Sequence, residues 1–189
     1  MSEAVNLSGH FLMAMPGMVE GDLAGSVIYV CEHSDRGALG LVINRPTDLS
    51  LGGLLEQVEL AQAGQPKQNQ NTPVHFGGPV QSDRGFVLHK PAGDYSSSIR
   101  LGDTLALTTS RDVLQAVASG EGPDKIFVTL GYAGWGAGQL EQELAQNAWL
   151  SVAAEESIIF EVPAESRYPA AMRLLGVDPA MLAGSAGHA

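Results

Sequence analysis

The stretch from Lys125 to Leu150, KIFVTLGYAGWGAGQLEQELAQNAWL, decides the fold. It opens on the apolar, β-branched run Ile126–Leu130, which reads as a buried strand. Gly131, Gly134, Gly136 and Gly138 then punctuate a predicted turn carrying Tyr132 and Trp135, since glycine tolerates positive φ and close backbone approach. From Gln139 the period becomes helical, with Leu140 and Leu144 one turn apart and Glu141, Gln142 and Gln146 outside. Strand, glycine-rich turn and helix often build a ligand site, because the free N–H groups of a helix start face the turn. No phosphate-loop, nucleophile-elbow or dinucleotide pattern is present. The segment predicts a site without naming a reaction.

Upstream, His10–Met15, Ser26–Cys31 and Ala38–Ile43 read as strands whose near-continuous apolar character implies burial on both faces or inside a closed sheet. A helix is expected after Asn44-Arg45-Pro46, capped by Asp48 or Ser50, with Leu51, Leu54, Leu55 and Val58 at helical spacing. The polar run from Ala61 to Thr72 reads as a solvated loop. Val74–Phe76 and Gly85–Leu88 read as strands, with a turn at Asp83-Arg84-Gly85. Gly93–Ser98 reads as a loop, Thr104–Thr109 alternates like a half-exposed strand, and Ser110 can cap a helix through Val117. Beyond the central stretch, Ser157–Val162 is expected as a last strand and Tyr168–Leu175 as a closing helix ending at Gly176. Residues 182–189 are expected to fray. Adjacent strands mixed with single strand–helix units predict one α+β domain over 1–189 with a mixed sheet.

The chain has 189 residues, 44% hydrophobic and 16% charged, which suits a globular protein with a substantial core. A net charge of −11, with only 10 Lys and Arg and no cluster among them, disfavours specific DNA binding. One cysteine, Cys31, precludes an intrachain disulfide and fits a reducing compartment. No signal peptide or bilayer-length apolar run is read, so the expectation is a cytoplasmic protein away from the membrane.

Three phrases together resemble the YqgE/AlgH family of small bacterial proteins. They are GLVINRP at Gly40–Pro46, FGGPV at Phe76–Val80 with RGFVLH at Arg84–His89, and LGYAGWGAGQLEQEL at Leu130–Leu144. SGHFLMAMPGM near the N-terminus and the later NAWL also fit, so the resemblance covers nearly the whole chain. It implies an α+β fold in which a bifurcated, strongly bent sheet curls into a pseudo-barrel with helices around it. Some members carry a transcriptional-regulator label linked to alginate production. The resemblance implies no agreed catalytic set.

Candidate ligand-binding residues are Asn44, Arg45, Gly77, Gly78, Tyr132, Trp135, Gln139 and Glu143. Arg45 can present its planar fork to a carboxylate or phosphate, or pair with one of many acids. Gly77-Gly78 admits either a ligand or a neighbouring strand at a sharp bend, and the bend is favoured. Trp135 and Tyr132 can wall a pocket, with Gln139 and Glu143 four apart on one helix face. Alternatively Trp135 packs in the core while Gln139 and Glu143 bond the turn. Cys31 and His33, two apart on a strand, are expected on one face, yet a buried cysteine is the better reading than a nucleophile. The histidines show no metal-ligand spacing, so no metal or cofactor is expected. Two functions follow from these residues. One is a non-enzymatic binding or regulatory protein taking a small molecule or a protein. The other is a small hydrolase or transferase using the same pocket.

Overall fold

The computed structural model describes residues 6–60 and 72–176, so the expected loop over 61–72, apart from Thr72, and the expected frayed tail over 182–189 lie outside the described residues. The fold is α+β, and the described residues form a curled sheet with five α-helices around it. The antiparallel strands β1 (His10–Ala14), β2 (Val27–Ser34) and β3 (Gly37–Val42) lead the chain in. β2 is buried along Val27–Cys31, because both of its faces are covered. A short strand the sequence did not announce, β4 (Pro46–Ser50), precedes α1 (Leu51–Gln57). Ser50 caps that helix, its side chain accepting from Gly53 N at 3.1 Å. Then come β5 (Pro73–Phe76), β6 (Val80–Lys90), β7 (Ser98–Arg100), β8 (Ala106–Thr108) and α2 (Arg111–Ala118).

β9 (Lys125–Gly136) is the spine. One edge pairs antiparallel with β6, from Lys90↔Lys125 to Val80↔Tyr132. The other edge is shared. β5 runs parallel along Thr129–Leu130 and β3 antiparallel along Ala133–Gly136. The sheet therefore forks on β9, and its main path reads β10-β1-β2-β3-β9-β6-β8-β7 with β4 and β5 on the side arm. The fork is where chains come closest. A Cβ built on Gly77 would sit 2.3 Å from Gly131 O, and one on Gly78 would sit 2.1 Å from Tyr132 C.

Several expectations change. The glycine-rich turn does not begin at Gly131, since the strand continues to Gly136 and only Gly138, at φ 75°, turns the chain into α3 (Gln139–Ala145). The glycines serve close pairing rather than reversal. Asp83-Arg84-Gly85 is an irregular stretch within β6, where the register shifts between Val80 and Gly85. β8 is buried throughout rather than half-exposed, because Leu107 packs in the first core while Thr108 on the opposite face is enclosed by His89 and Ser98. Ser157–Val162 is no strand. The last strand is β10 (Trp149–Ala153), pairing with β1, and Glu156–Phe160 forms the helix α4. A short apolar run fits either state, and with β10 already on the sheet edge, Ile158 and Ile159 bury as helix. α5 (Ala164–Leu174) closes the chain as expected.

α4 and α5 pack over a core of Phe11, Tyr29, Leu41, Leu88, Leu107 and Ile159. Trp135, Trp149 and Leu140 build a second cluster with Leu12, Ile28 and Val30. α1 and α2 cover a third, around Val87 and Val128. Arg167, 8% exposed, locks α5 to the fork by donating to the Ile43 and Val162 carbonyls and to His75 Nε2 at 2.9 Å. Its guanidinium also lies 5.3 Å from the Phe127 ring centroid.

Gly78→Ala is expected to cost about 3 kcal/mol or more, because backbone must move at a position with φ 152°. Denaturant unfolding at an unchanged m-value measures this, and a loss under about 1 kcal/mol would contradict the close-approach reading. Burial, reinforced by Arg167, pushes His75 down to about 4. The unfolded chain thus binds a proton that the folded chain refuses. The stability contributed by His75 should fall as pH drops from 6.5 towards about 4 and change no further below that. His75→Gln should flatten that limb, and an identical profile would refute the assignment.

Candidate functional site

The structure separates the predicted residues into groups. Asn44 clips the β2 entry, its Oδ1 accepting from Val27 N at 2.9 Å and its Nδ2 donating to Gly25 O at 3.0 Å. Arg45 Nη2 donates to the Ala24 carbonyl, and Phe76 N donates to Arg45 O at 2.8 Å. Gly77 N donates to Leu130 O at 2.8 Å, while Gly77 O accepts from Val42 N at 2.9 Å. Asn44, Arg45, Gly77 and Gly78 therefore gather around the fork as main-chain and hairpin clips.

Trp135, Gln139 and Glu143 do meet, joined by a residue that sequence reasoning left aside. Glu143 Oε1 accepts from the Trp135 indole at 3.0 Å and from the Trp149 indole at 2.9 Å. The two rings stand edge to face with centroids 6.0 Å apart. Gln139 donates to Glu143 Oε2 at 3.0 Å, and its Oε1 accepts from Gly136 N at 2.9 Å. One carboxylate thus pins β9, α3 and β10 together. Two tryptophans flanking the predicted helix, Trp135 before it and Trp149 after it, were the signal for this clip.

A cleft of about 710 Å³ opens beside the β2–β3 hairpin, lined by Ser8, Glu32, Arg36, Leu39, Tyr132 and Trp135 among others. Of the predicted residues, only Tyr132 and Trp135 line it. His33 forms part of its wall. The expected shared face of Cys31 and His33 is broken by a bulge in β2, where Val30 opposes Gly40 but Glu32 opposes Leu39. The extra residue puts Cys31 in the first core and sets His33 opposite Ala38, on the α3 side. Burial raises the Cys31 thiol, with Glu32 adding to it, so no thiolate is available. His33 Nδ1 accepts from Leu7 N at 3.0 Å. An amide only donates, so the ring proton sits on Nε2 and points at Glu141 Oε1, 3.1 Å away. That hydrogen bond holds the Glu141 carboxyl below its usual range against the opposing effect of burial. Among the described residues, no group of three or more His, Cys, Asp or Glu is arranged to hold a metal ion.

The forked sheet defines a class of small α+β proteins, and comparison with known proteins places the chain within it. The AlgH-like family profile matches residues 11–180, and the chain belongs to that family. A UPF0301 protein of Bordetella avium is 73% identical over 184 residues, covering 97% of this chain and 92% of that one. Its counterpart in Bordetella pertussis is 68% identical over 186 residues, covering 98% and 91%. The solution structure of the AlgH protein from Pseudomonas aeruginosa superposes with a TM-score of 0.80 at 49% identity, covering 97% and 96%. A crystal structure of a Corynebacterium diphtheriae protein shares the fold, with a TM-score of 0.69 at 21% identity over 92% and 89% of the chains.

Glu143→Ala leaves two indole donors without their acceptor and is expected to cost about 2 kcal/mol. The chain has only these 2 tryptophans, so its intrinsic emission reports the clip directly. Unchanged emission together with an unchanged melting temperature would contradict this role.

Proposed function

We propose that this chain is a cytoplasmic binding or regulatory protein whose ligand occupies the cleft beside Tyr132 and Trp135. The reading is carried by the state of the groups on its wall. Both nitrogens of His33 are already engaged, and Cys31 lies in the core as a buried thiol. The lone pair of His33 is held by a backbone amide that has no proton to pass on, and the Cys31 thiol is buried without activation, so neither side chain serves as base or nucleophile. What the cleft offers instead is recognition surface. Tyr132 and Leu39 present apolar area, Ser8 and Ser34 hydroxyls, and Arg36 a guanidinium. Such a lining suits a small molecule or peptide segment with a flat apolar part and an anionic group for the arginine fork. No helix among the described residues is long and apolar enough to cross a membrane. With a net charge of −11, any regulatory effect runs through this ligand or a protein partner rather than through duplex DNA.

Native mass spectrometry of the protein purified without denaturant tests the proposal. A bound small molecule or peptide is expected, and Arg36→Ala should weaken its retention about tenfold or more while leaving the melting temperature in place. Equal retention by the variant would remove Arg36 and this cleft from the reading.

A further inference from the structure

On the other arm of the fork, the His89 side chain is fully buried and hydrogen-bonded at both nitrogens. Nδ1 lies 2.9 Å from the Pro91 carbonyl oxygen. A carbonyl only accepts, so Nδ1 carries the proton and the neutral ring offers its lone pair at Nε2. Thr108 Oγ1 stands 2.6 Å from Nε2 and must donate to it. Having spent its proton there, Thr108 Oγ1 accepts from Ser98 Oγ, also 2.6 Å away. One carbonyl therefore sets the direction of the whole chain, from Ser98 through Thr108 to His89. Thr108 is as buried as the histidine, whereas Ser98 lies exposed on the edge strand β7. Burial holds the imidazole below its ordinary value against the Pro91 bond, so the accepting lone pair is present at neutral pH. Beside Thr108 a hollow of about 210 Å³ is lined by Val58, Val87, Leu114 and Arg111. It has room for a short apolar chain, and none of its residues line the cleft at Tyr132.

We infer that Ser98 is an activated nucleophile that accepts an acyl group from an activated acyl ester, with His89 taking the proton through Thr108. In that step Ser98 Oγ bonds the acyl carbon, and the leaving oxygen departs with the electron pair of its C–O bond. The Ser98 proton moves to Thr108 Oγ1, whose own proton moves to His89 Nε2. Thr108, which pairs with Ser98 in the strand register, lines the hollow and gives a short acyl chain a place to lie. The product is an acylated serine, a stoichiometric modification that stands whether or not the Tyr132 cleft binds a ligand.

The neighbouring serines supply the control, because Ser96 and Ser97 share the loop but have no hydrogen bond to Thr108 or His89. The full chain is treated with 4-nitrophenyl acetate and its acetylation is mapped by peptide mass spectrometry over time. Ser98 is expected to react about a hundredfold faster than Ser96 or Ser97, the lower end of what a positioned base supplies. Thr108→Val, which keeps the shape and removes the relay, should bring Ser98 down to their rate. Equal rates at the three serines of the native chain would overturn the inference without any variant. So would a Ser98 rate that Thr108→Val leaves unchanged.

Discussion

Everything in this fold depends on three backbones meeting without side chains at Gly77, Gly78 and Gly131. Gly131 sits at φ 79°, and a Cβ on it would lie 2.2 Å from Gly78 O. Gly77 bonds β9 through its N–H and β3 through its carbonyl, so a single residue spans the gap between two strands on the same edge. A side chain there would force the β5 arm away from β9, and β3 would lose its neighbour at the junction. The fork exists because the sterically most permissive residue stands at the crossing.

A forked, curled sheet covered on both faces creates seams, and each seam here is closed by one polar side chain with several partners. Asn44 joins the β2 entry to the end of β3, Arg167 joins α5 to the fork, and Glu143 joins α3 to β9 and β10. Buried polar groups stabilise little when paired and cost heavily when orphaned, so multidentate residues at seams make one arrangement far better than its alternatives. The same economy explains the wall of the cleft. His33 is held between Leu7 N and Glu141, tying the N-terminal segment to the hairpin and to α3 rather than waiting for a substrate.

Most strands, and the helices α1, α2, α3 and α5, were legible because apolar runs and caps act locally. Ser50 and Gly138 mark helix starts whatever surrounds them. What the chain could not show locally was decided by pairing across the fold. Gly134 and Gly136 look like turn residues until β3 is known to lie against them. Ser157–Val162 looks like a strand until β10 has taken the edge. The bulge after Val30 has no signature in VIYVCEH, yet it moves His33 to the opposite face from Cys31. Of the candidate site, the aromatic half was legible, since Tyr132 and Trp135 stand in a glycine-rich stretch. The charged half was not. Arg45, the conspicuous cation after a buried strand, is spent on a carbonyl, while Arg36 in an ordinary hairpin turn reaches the cleft.

The placement of the cleft follows from the parity of β9. Tyr132 and Trp135 are three apart on a strand, so their side chains leave on opposite faces. Tyr132 accordingly packs against the core under α5 and meets Phe86 edge-on at 5.4 Å, while Trp135 belongs to the cluster under α3. Beside the hairpin, residues rooted in both cores line one space. A ligand there touches groups that answer to different packing. Tyr132 is anchored within the fork itself, next to the Gly78 crossing. Trp135 is anchored through Glu143 to α3 and β10. Under the proposed binding function, a ligand bridging these two anchors would couple its occupancy to the curl that brings them together, as a regulatory readout requires.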